Sequence, residues 1–540
     1  MTREHPGRQH CRDFIPRLRA IEIGCILVFA LSIVPHPLAA QVDRVEVNLE
    51  YVAKVAEERA QKPFKSPRGQ LPPVLQQDKL DYDAYRKIRF RNDHAFWLAD
   101  KLPFRVEFFH PGYLYQEPVR IFEFTKTHVQ RVRFVQDFFD YSDLDIQKHI
   151  PADTGYAGFK VTYPLNKPDD FPEFMSFLGA SYFRMLGKGQ RYGQSARGLA
   201  LDSGEPDRPE EFPIFTEFWL GKPGPDDKQL HFFALLDSVS CTGAYEFVVT
   251  PGETTVASIN VVLFLREQAD ILAVNKERKP LATMGMAPLT SMFWFGENSE
   301  RKFNDYRPEV HDSDGLLMHM DGGEVLWRPL NNATERRHST FATTNIRGFG
   351  LLQRDRDFAS YHEIFNMYHQ VPSVWIKPKG DWGEGEVHLV ELPTNYEGLD
   401  NIVAFWNPKQ KPTPKQPFRF SYEQLWTSET ETRLSENYVS ATRIGAELHD
   451  PKKRQVHIDF AGPRLQALKD DAKPQVVASC SDNARIYETA ILRNPFNNTW
   501  RAVLKFEPPA DGKEPVELRC TLKQGDEALT ETWCYLWSPQ

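Results

Sequence analysis

The chain has 540 residues, 41% hydrophobic, 13% aromatic and 26% charged, with a formal net charge of −8. That length exceeds one ordinary core and that composition excludes a disordered, fibrous or multi-span membrane chain, leaving a globular protein of two domains or one large β-rich or α/β unit. An acidic surface repels phosphate, so nucleic acid and anionic membrane are excluded as natural partners, whereas a neutral polymer meets no long-range penalty.

At the N-terminus, Arg3, Arg8, Arg12, Arg17 and Arg19 precede an apolar run over 23–34, and Ala39 and Ala40 follow. Basic residues, a short apolar run and small residues, in that order, form the pattern of a secretory signal peptide, and the run is too short to span a bilayer comfortably. Residues 1–40 are therefore expected to be cleaved after Ala40 and to send the rest to the periplasm, with an uncleaved anchor as the alternative. Cleavage takes away five basic and three acidic side chains and leaves the mature chain at −10. Cys11 and Cys25 leave with the signal. Cys241, Cys480, Cys520 and Cys534 remain without a C-x-x-C spacing, so no metal site and no cofactor are expected, while one C-terminal disulfide would suit an oxidising compartment.

Val47, Leu49, Val52, Ala53 and Ala56 recur at helical spacing, which predicts a short helix before an extended arm over 62–73. The period then drops to two: residues 104–108, 119–124, 129–134, 245–250 and 255–265 alternate as strands do. One amphipathic helix is predicted over 357–369, where Phe358, Tyr361, Ile364, Phe365 and Tyr368 share a face. The proline- and lysine-rich stretch 407–415 reads as a linker. Beyond it, 418–540 shows short alternating strands (455–460, 474–479, 516–520, 532–537) and has the size of an immunoglobulin-like sandwich. The expected fold is mainly β: a large antiparallel β-sandwich over 41–410 followed by a small one over 418–540.

Walker loops, G-x-G-x-x-G, H-E-x-x-H and G-x-S-x-G motifs are absent from the sequence. What the chain offers is carboxylates among aromatics and glycines. Glycoside cleavage needs that combination: a carboxylic acid to protonate the leaving oxygen, a carboxylate to activate water, and aromatic faces for sugar rings. The segment 306–315 carries Arg307, His311, Asp312 and Asp314 into a Ser-Asp-Gly turn, which exposes polar side chains or simply caps itself. The segment 391–401 brings Glu397 and Asp400 to the mouth of the apolar run 402–406, where desolvation raises a carboxyl toward a general acid; a strand-end cap is the plain alternative. In 347–358, Arg354, Asp355, Arg356 and Asp357 alternate in charge, which fits an Arg–Asp network holding a loop. Among the tryptophans, only Trp382, set between Gly380, Gly383 and Gly385, is expected as a stacking platform.

The blocks Phe177-Leu178-Gly179-Ala180-Ser181-Tyr182-Phe183-Arg184, Ser195-Ala196-Arg197-Gly198-Leu199-Ala200, Ala287-Pro288-Leu289-Thr290-Ser291-Met292-Phe293 and Arg307-Pro308-Glu309-Val310-His311-Asp312-Ser313 resemble those of the osmoregulated periplasmic glucan biosynthesis proteins, the G/D family. So do 348–354 and 400–406. The resemblance implies a large sandwich similar to the galactose-mutarotase type, followed by an immunoglobulin-like one. The family includes enzymes that cleave β-1,2-glucan internally with inversion, which implies Asp400 as general acid and Asp312 as general base. Glu397 and Tyr368 match positions that contact the glucan, and His311, Asp314, Arg307, Trp382 and Arg354 are expected beside them. Three positions depart from the pattern: Gln194 for leucine, Ile346 for proline, and Val371 for an arginine that belongs to a subsite. A glucan transglycosylase or glycosyltransferase and a non-catalytic protein guiding nascent glucan are the alternatives. A membrane glucan-synthesis complex is a compatible partner, and a homodimer stays open.

Overall fold

Alternation of apolar and polar side chains governs most of this chain, and the computed structural model resolves it into strand after strand. The structure describes residues 46–300, 303–428, 434–469, 474–510 and 514–538. The expected signal peptide, with Cys11 and Cys25, lies outside the described residues.

Two large sheets face each other. The first runs, in spatial order, through Arg105–Phe109, Gly158–Thr162, Glu173–Leu178, Tyr182–Met185, Ser195–Arg197, Met284–Ser291, Ile402–Pro408, Gly385–Glu391 and Arg337–Thr343. The second is longer. Its centre is the meander Ile214–Gly221, Leu230–Asp237, Cys241–Thr250 and Thr255–Leu265, every neighbouring pair antiparallel. Between the sheets the inward residues are mostly aromatic: Phe159 meets Phe218 edge-on with ring centroids 5.0 Å apart, and Phe177 meets Phe232 at 5.4 Å and 87°. Each such ring contributes on the order of 2 kcal/mol through burial alone, and the tilted geometry aligns ring edge with ring face. The predicted N-terminal helix is present as Leu49–Ala60, capped by the Asn48 side chain, with Val52, Ala53, Ala56 and Ala60 packed on the outer face of the meander beside Trp219 and Phe233.

Three expectations change. The strand Phe418–Thr427, expected to open a second domain, lies inside the second sheet between Thr255–Leu265 and Ser373–Lys379. The strands Gln475–Cys480, Val516–Gln524 and Thr532–Trp537 continue that sheet, joined by the parallel pairs Leu326 with Thr532 and Trp327 with Trp533. A separate sheet of Tyr438–Ala446, Arg454–Ala461, Trp500–Glu507 and Arg485–Arg493 covers them over a core containing Val456, Ile458, Phe460 and Trp500. A proline- and lysine-rich loop has the same composition whether it joins domains or neighbouring strands, so the stretch 407–415 alone could not tell the two apart.

The helix predicted over 357–369 is broken. One turn, Phe358–Tyr361, ends at His362 with φ of 50°, and a 3-10 turn, Tyr368–Gln370, follows Met367 at φ of 52°. Glu363 supplies the reason: its carboxylate accepts from the backbone N–H groups of Phe365, Asn366 and Met367, donors that a continuing helix would have used.

Cys241, Cys480, Cys520 and Cys534 are all free thiols. Cys520 lies opposite Trp533 and Cys534 opposite Arg519, so the period of two sends their sulfurs to opposite faces of the sheet.

Candidate functional site

The polar face of the first sheet forms the floor of the site. In Tyr182–Met185, Phe183 and Met185 point into the core and leave Tyr182 and Arg184 on the other side; in Ser195–Arg197, Ala196 does the same for Ser195 and Arg197. Arg184 Nε donates to Ser195 Oγ at 2.7 Å. Arg197 Nε donates to Thr290 Oγ1 at 2.8 Å, and its guanidinium lies 4.7 Å from the Tyr182 ring centroid. Both cations are therefore fixed by strand hydroxyls rather than left to swing.

Asp312 and Asp400 come to this floor from chain segments far apart in sequence, and one side chain ties them together. Asn401, buried at the start of Ile402–Pro408, accepts from Phe293 N at 2.8 Å and donates to Phe293 O at 3.0 Å and Leu392 O at 2.9 Å. One residue earlier, Met292 O accepts from Asp312 N at 2.8 Å. The backbone that carries Asp400 is thus hydrogen-bonded to the backbone that carries Asp312. Asp312 is pressed close: a Cβ added to Gly193 would lie 2.8 Å from its Oδ1 and 2.4 Å from Val371 Cγ1, so only glycine lets this backbone pass.

Burial, and next the charge of Asp400, pushes the Asp312 carboxyl up to about 7, against the pull of Arg184 and His311. Burial also raises Asp400, opposed by Arg184 and Arg197. Asp400 is reached by solvent and yet has protein crowded around it, whereas Asp312 is shut away. The negative charge of Asp400 opposes a second charge on Asp312.

Above the pair, three loops are tied at one carboxylate. Glu397 Oε2 accepts from Arg307 Nη1 at 2.7 Å and from the Tyr368 hydroxyl at 2.7 Å. Arg307 also chelates Asp305, at 2.9 and 2.8 Å. Burial, reinforced by Glu397, raises the Tyr368 phenol far above its ordinary value, so it stays a donor. Beside this clamp Tyr306 and Tyr396 are 76% and 58% exposed, leaving aromatic surface free next to Arg307 and Glu397.

Of the expected residues, Asp312, Asp400, Glu397, Tyr368 and Arg307 gather here. Others lie elsewhere. His311 and Asp314 turn to the far side of the segment, where His311 contacts Glu309 Oε2 at 3.1 Å and Asp314 Oδ1 at 3.2 Å. Arg354 is engaged by Glu531 at 2.6 Å and stacks 3.5 Å over Trp327, so it joins the main sheet to the C-terminal strands. Trp382 is buried edge-on against Phe420 and Tyr422, its Nε1 donating to Ser421 O at 3.1 Å, which makes it core rather than platform. Gln194, one of the departures, is fully buried and donates to Leu351 O at 3.2 Å and Pro372 O at 2.5 Å, bonds a leucine could not make. Arg184, Arg197 and Asn401 were not anticipated as site residues, although Arg184 and Arg197 stand within the blocks 177–184 and 195–200 that carry the family resemblance.

The chain matches the profile of the periplasmic glucan biosynthesis protein family, MdoG, over residues 47–537, and it belongs to that family. Its setting is therefore periplasmic glucan biosynthesis.

Proposed function

We propose that the protein, after export on a cleaved signal over residues 1–40, cuts β-1,2-linked glucan internally with inversion, using Asp400 as general acid and Asp312 as general base. The observation that carries this reading is the coupling of two carboxyls on one arginine-flanked floor. Inverting cleavage needs one carboxyl protonated and one ionised on either side of the scissile bond. Burial raises both groups, and the charge of Asp400 opposes ionisation of Asp312, so the pair resists carrying two negative charges at once.

In the bound state water attacks the anomeric carbon as Asp312 takes its proton, and the leaving oxygen receives a proton originating on Asp400. These roles require Asp400 to hold the proton and Asp312 to be ionised once glucan is bound. Glu397, with Tyr368 and Arg307 behind it, offers a fixed acceptor for sugar hydroxyls, and Tyr306 and Tyr396 offer ring faces.

The test is product analysis on linear β-1,2-glucan. Short oligosaccharides released first as the α-anomer, read by proton NMR, support the reading. Products that grow or cyclise would assign the site to transglycosylation, and glucan bound but never shortened would make this a carrier for nascent chains.

A further inference from the structure

The strand Val310–His311 has two sides, and the side turned away from Asp312 borders a small chamber. Glu297, Glu309, His311, Asp314, Arg354 and Asp355 line a cavity of about 30 Å³, room for one water-sized occupant. Glu309 and His311 are buried, 8% and 1% exposed, while Asp314 and Asp355 are half-buried.

Hydrogen bonding fixes the imidazole. Gln353 Nε2 donates to the backbone carbonyls of His311 at 3.0 Å and Tyr368 at 3.2 Å, so its Oε1, 3.0 Å from His311 Nδ1, must be an acceptor and Nδ1 must carry hydrogen. Nε2 shares a proton with Glu309 Oε2; a cation that displaced this proton would meet the lone pair with which an imidazole ligates while its other nitrogen stays anchored. Nε2 and Glu309 Oε2 are 3.1 Å apart, the separation of adjacent ligands around an ion bonded at about 2.0–2.2 Å. One ligand atom each from Glu309, His311 and Asp355 all fall within 4.8 Å of one another.

Charge in the chamber is unbalanced. Arg354 is taken by Glu531, and Arg443 by Glu297 and Asp459. Among the described residues no lysine or arginine pairs with Glu309, Asp314 or Asp355. Asp314 Oδ1, wholly shielded from solvent, accepts no hydrogen bond there, because the nearby Nδ1 proton points to Gln353. Buried carboxylates facing one imidazole, with an unsatisfied oxygen among them, call for a positive occupant.

We propose that this chamber binds one divalent cation of the Zn²⁺ or Mn²⁺ class, with Glu309, His311 and Asp355 as ligands and Asp314 and Gln353 behind them. A set of imidazole nitrogen and carboxylate oxygen, free of thiolate, selects those ions. The cysteine and motif pattern gave no metal site, because these ligands come together only when 309–314 and 353–355 fold side by side. The proposal does not rest on glucan cleavage.

The purified protein, stripped with chelator and desalted, is loaded with Zn²⁺ or Mn²⁺, desalted again and assayed for metal. We expect about one ion per chain and a rise in Tm on loading, with retention falling about tenfold or more in Glu309→Gln and in Asp355→Asn. Asp400→Asn should retain the ion like the wild type. If the wild type retains neither ion, or if Asp355→Asn holds it as tightly as the wild type, the site is refuted; Asp355→Asn, isosteric, decides alone should Glu309→Gln fail to fold.

Discussion

Asp312 and His311 are neighbours in sequence and belong to two different environments. Asp312 borders a floor where its partner Asp400 is reached by solvent and Arg184 and Arg197 are held close; His311 faces a small, partly open chamber where carboxylates outnumber cations. The strand Val310–His311 ends in a bend at Asp312, so His311 and Asp314 meet on one side of the segment while Asp312 leaves it on the other. On the floor Asp400 remains reachable while Asp312 is buried beside it; in the chamber Glu309 is buried and Asp314 and Asp355 are half-buried.

The strongest way to break this contrast is to neutralise the floor. Asp400→Asn and Asp312→Asn should each lower kcat on β-1,2-glucan by about 10²–10⁴-fold while glucan binding, followed by calorimetry, persists; full turnover by either variant would end the proposed pairing. Trp382→Ala tests the residue assigned to the core: it should cost about 3–5 kcal/mol in denaturant unfolding and leave KM unchanged in the folded fraction, whereas a raised KM at unchanged stability would restore it as a platform. Asn401→Ala, which unties Asp400 from Phe293, should lose about 1–3 kcal/mol of stability and lower kcat more than it raises KM.

Acid unfolding sharpens the contrast from another side. Burial holds His110 down to about 4 and, with the charge of His338 adding to it, His388 down to about 3. A folded state that resists protonation is fully favoured above the unfolded value near 6.5 and loses ground as pH falls. Each histidine should therefore remove about 1.4 kcal/mol per pH unit between about 6.5 and its folded value, and a His110→Gln variant that folds should show a shallower loss across that window. The smallest effect is expected at the clamp: Tyr368→Phe removes one donor to Glu397 and should weaken glucan binding by about 0.5–1.5 kcal/mol.

Strands such as Thr255–Leu265 were plain in the sequence because their neighbours on both sides satisfy the same alternation. The helix over 357–369 looked equally plain and failed, since periodicity counts apolar faces and is blind to one glutamate that captures backbone donors. Asp312, Asp400, Glu397, Tyr368 and Arg307 were found through the family blocks; spacing alone left them as turn caps. Asp314 and His311 stand beside Asp312 in the chain, yet the bend after Val310–His311 turns both away from it, and Arg354 is taken by Glu531. Trp382 among glycines resembled an exposed loop, yet its ring folds back under Phe420 and Tyr422.

The parallel seam between Val325–Pro329 and Thr532–Trp537 has a consequence for how the molecule is made. The hydrogen-bond edge at Leu326 and Trp327 must wait for a partner roughly two hundred positions downstream, and contacts of such long sequence separation close slowly. Until the last strand arrives, that edge is an open template for wrong pairing with another chain. Assembly should therefore be paced by completion of the C-terminus, and a nascent chain halted before Thr532 should be a client for chaperones rather than a smaller working protein.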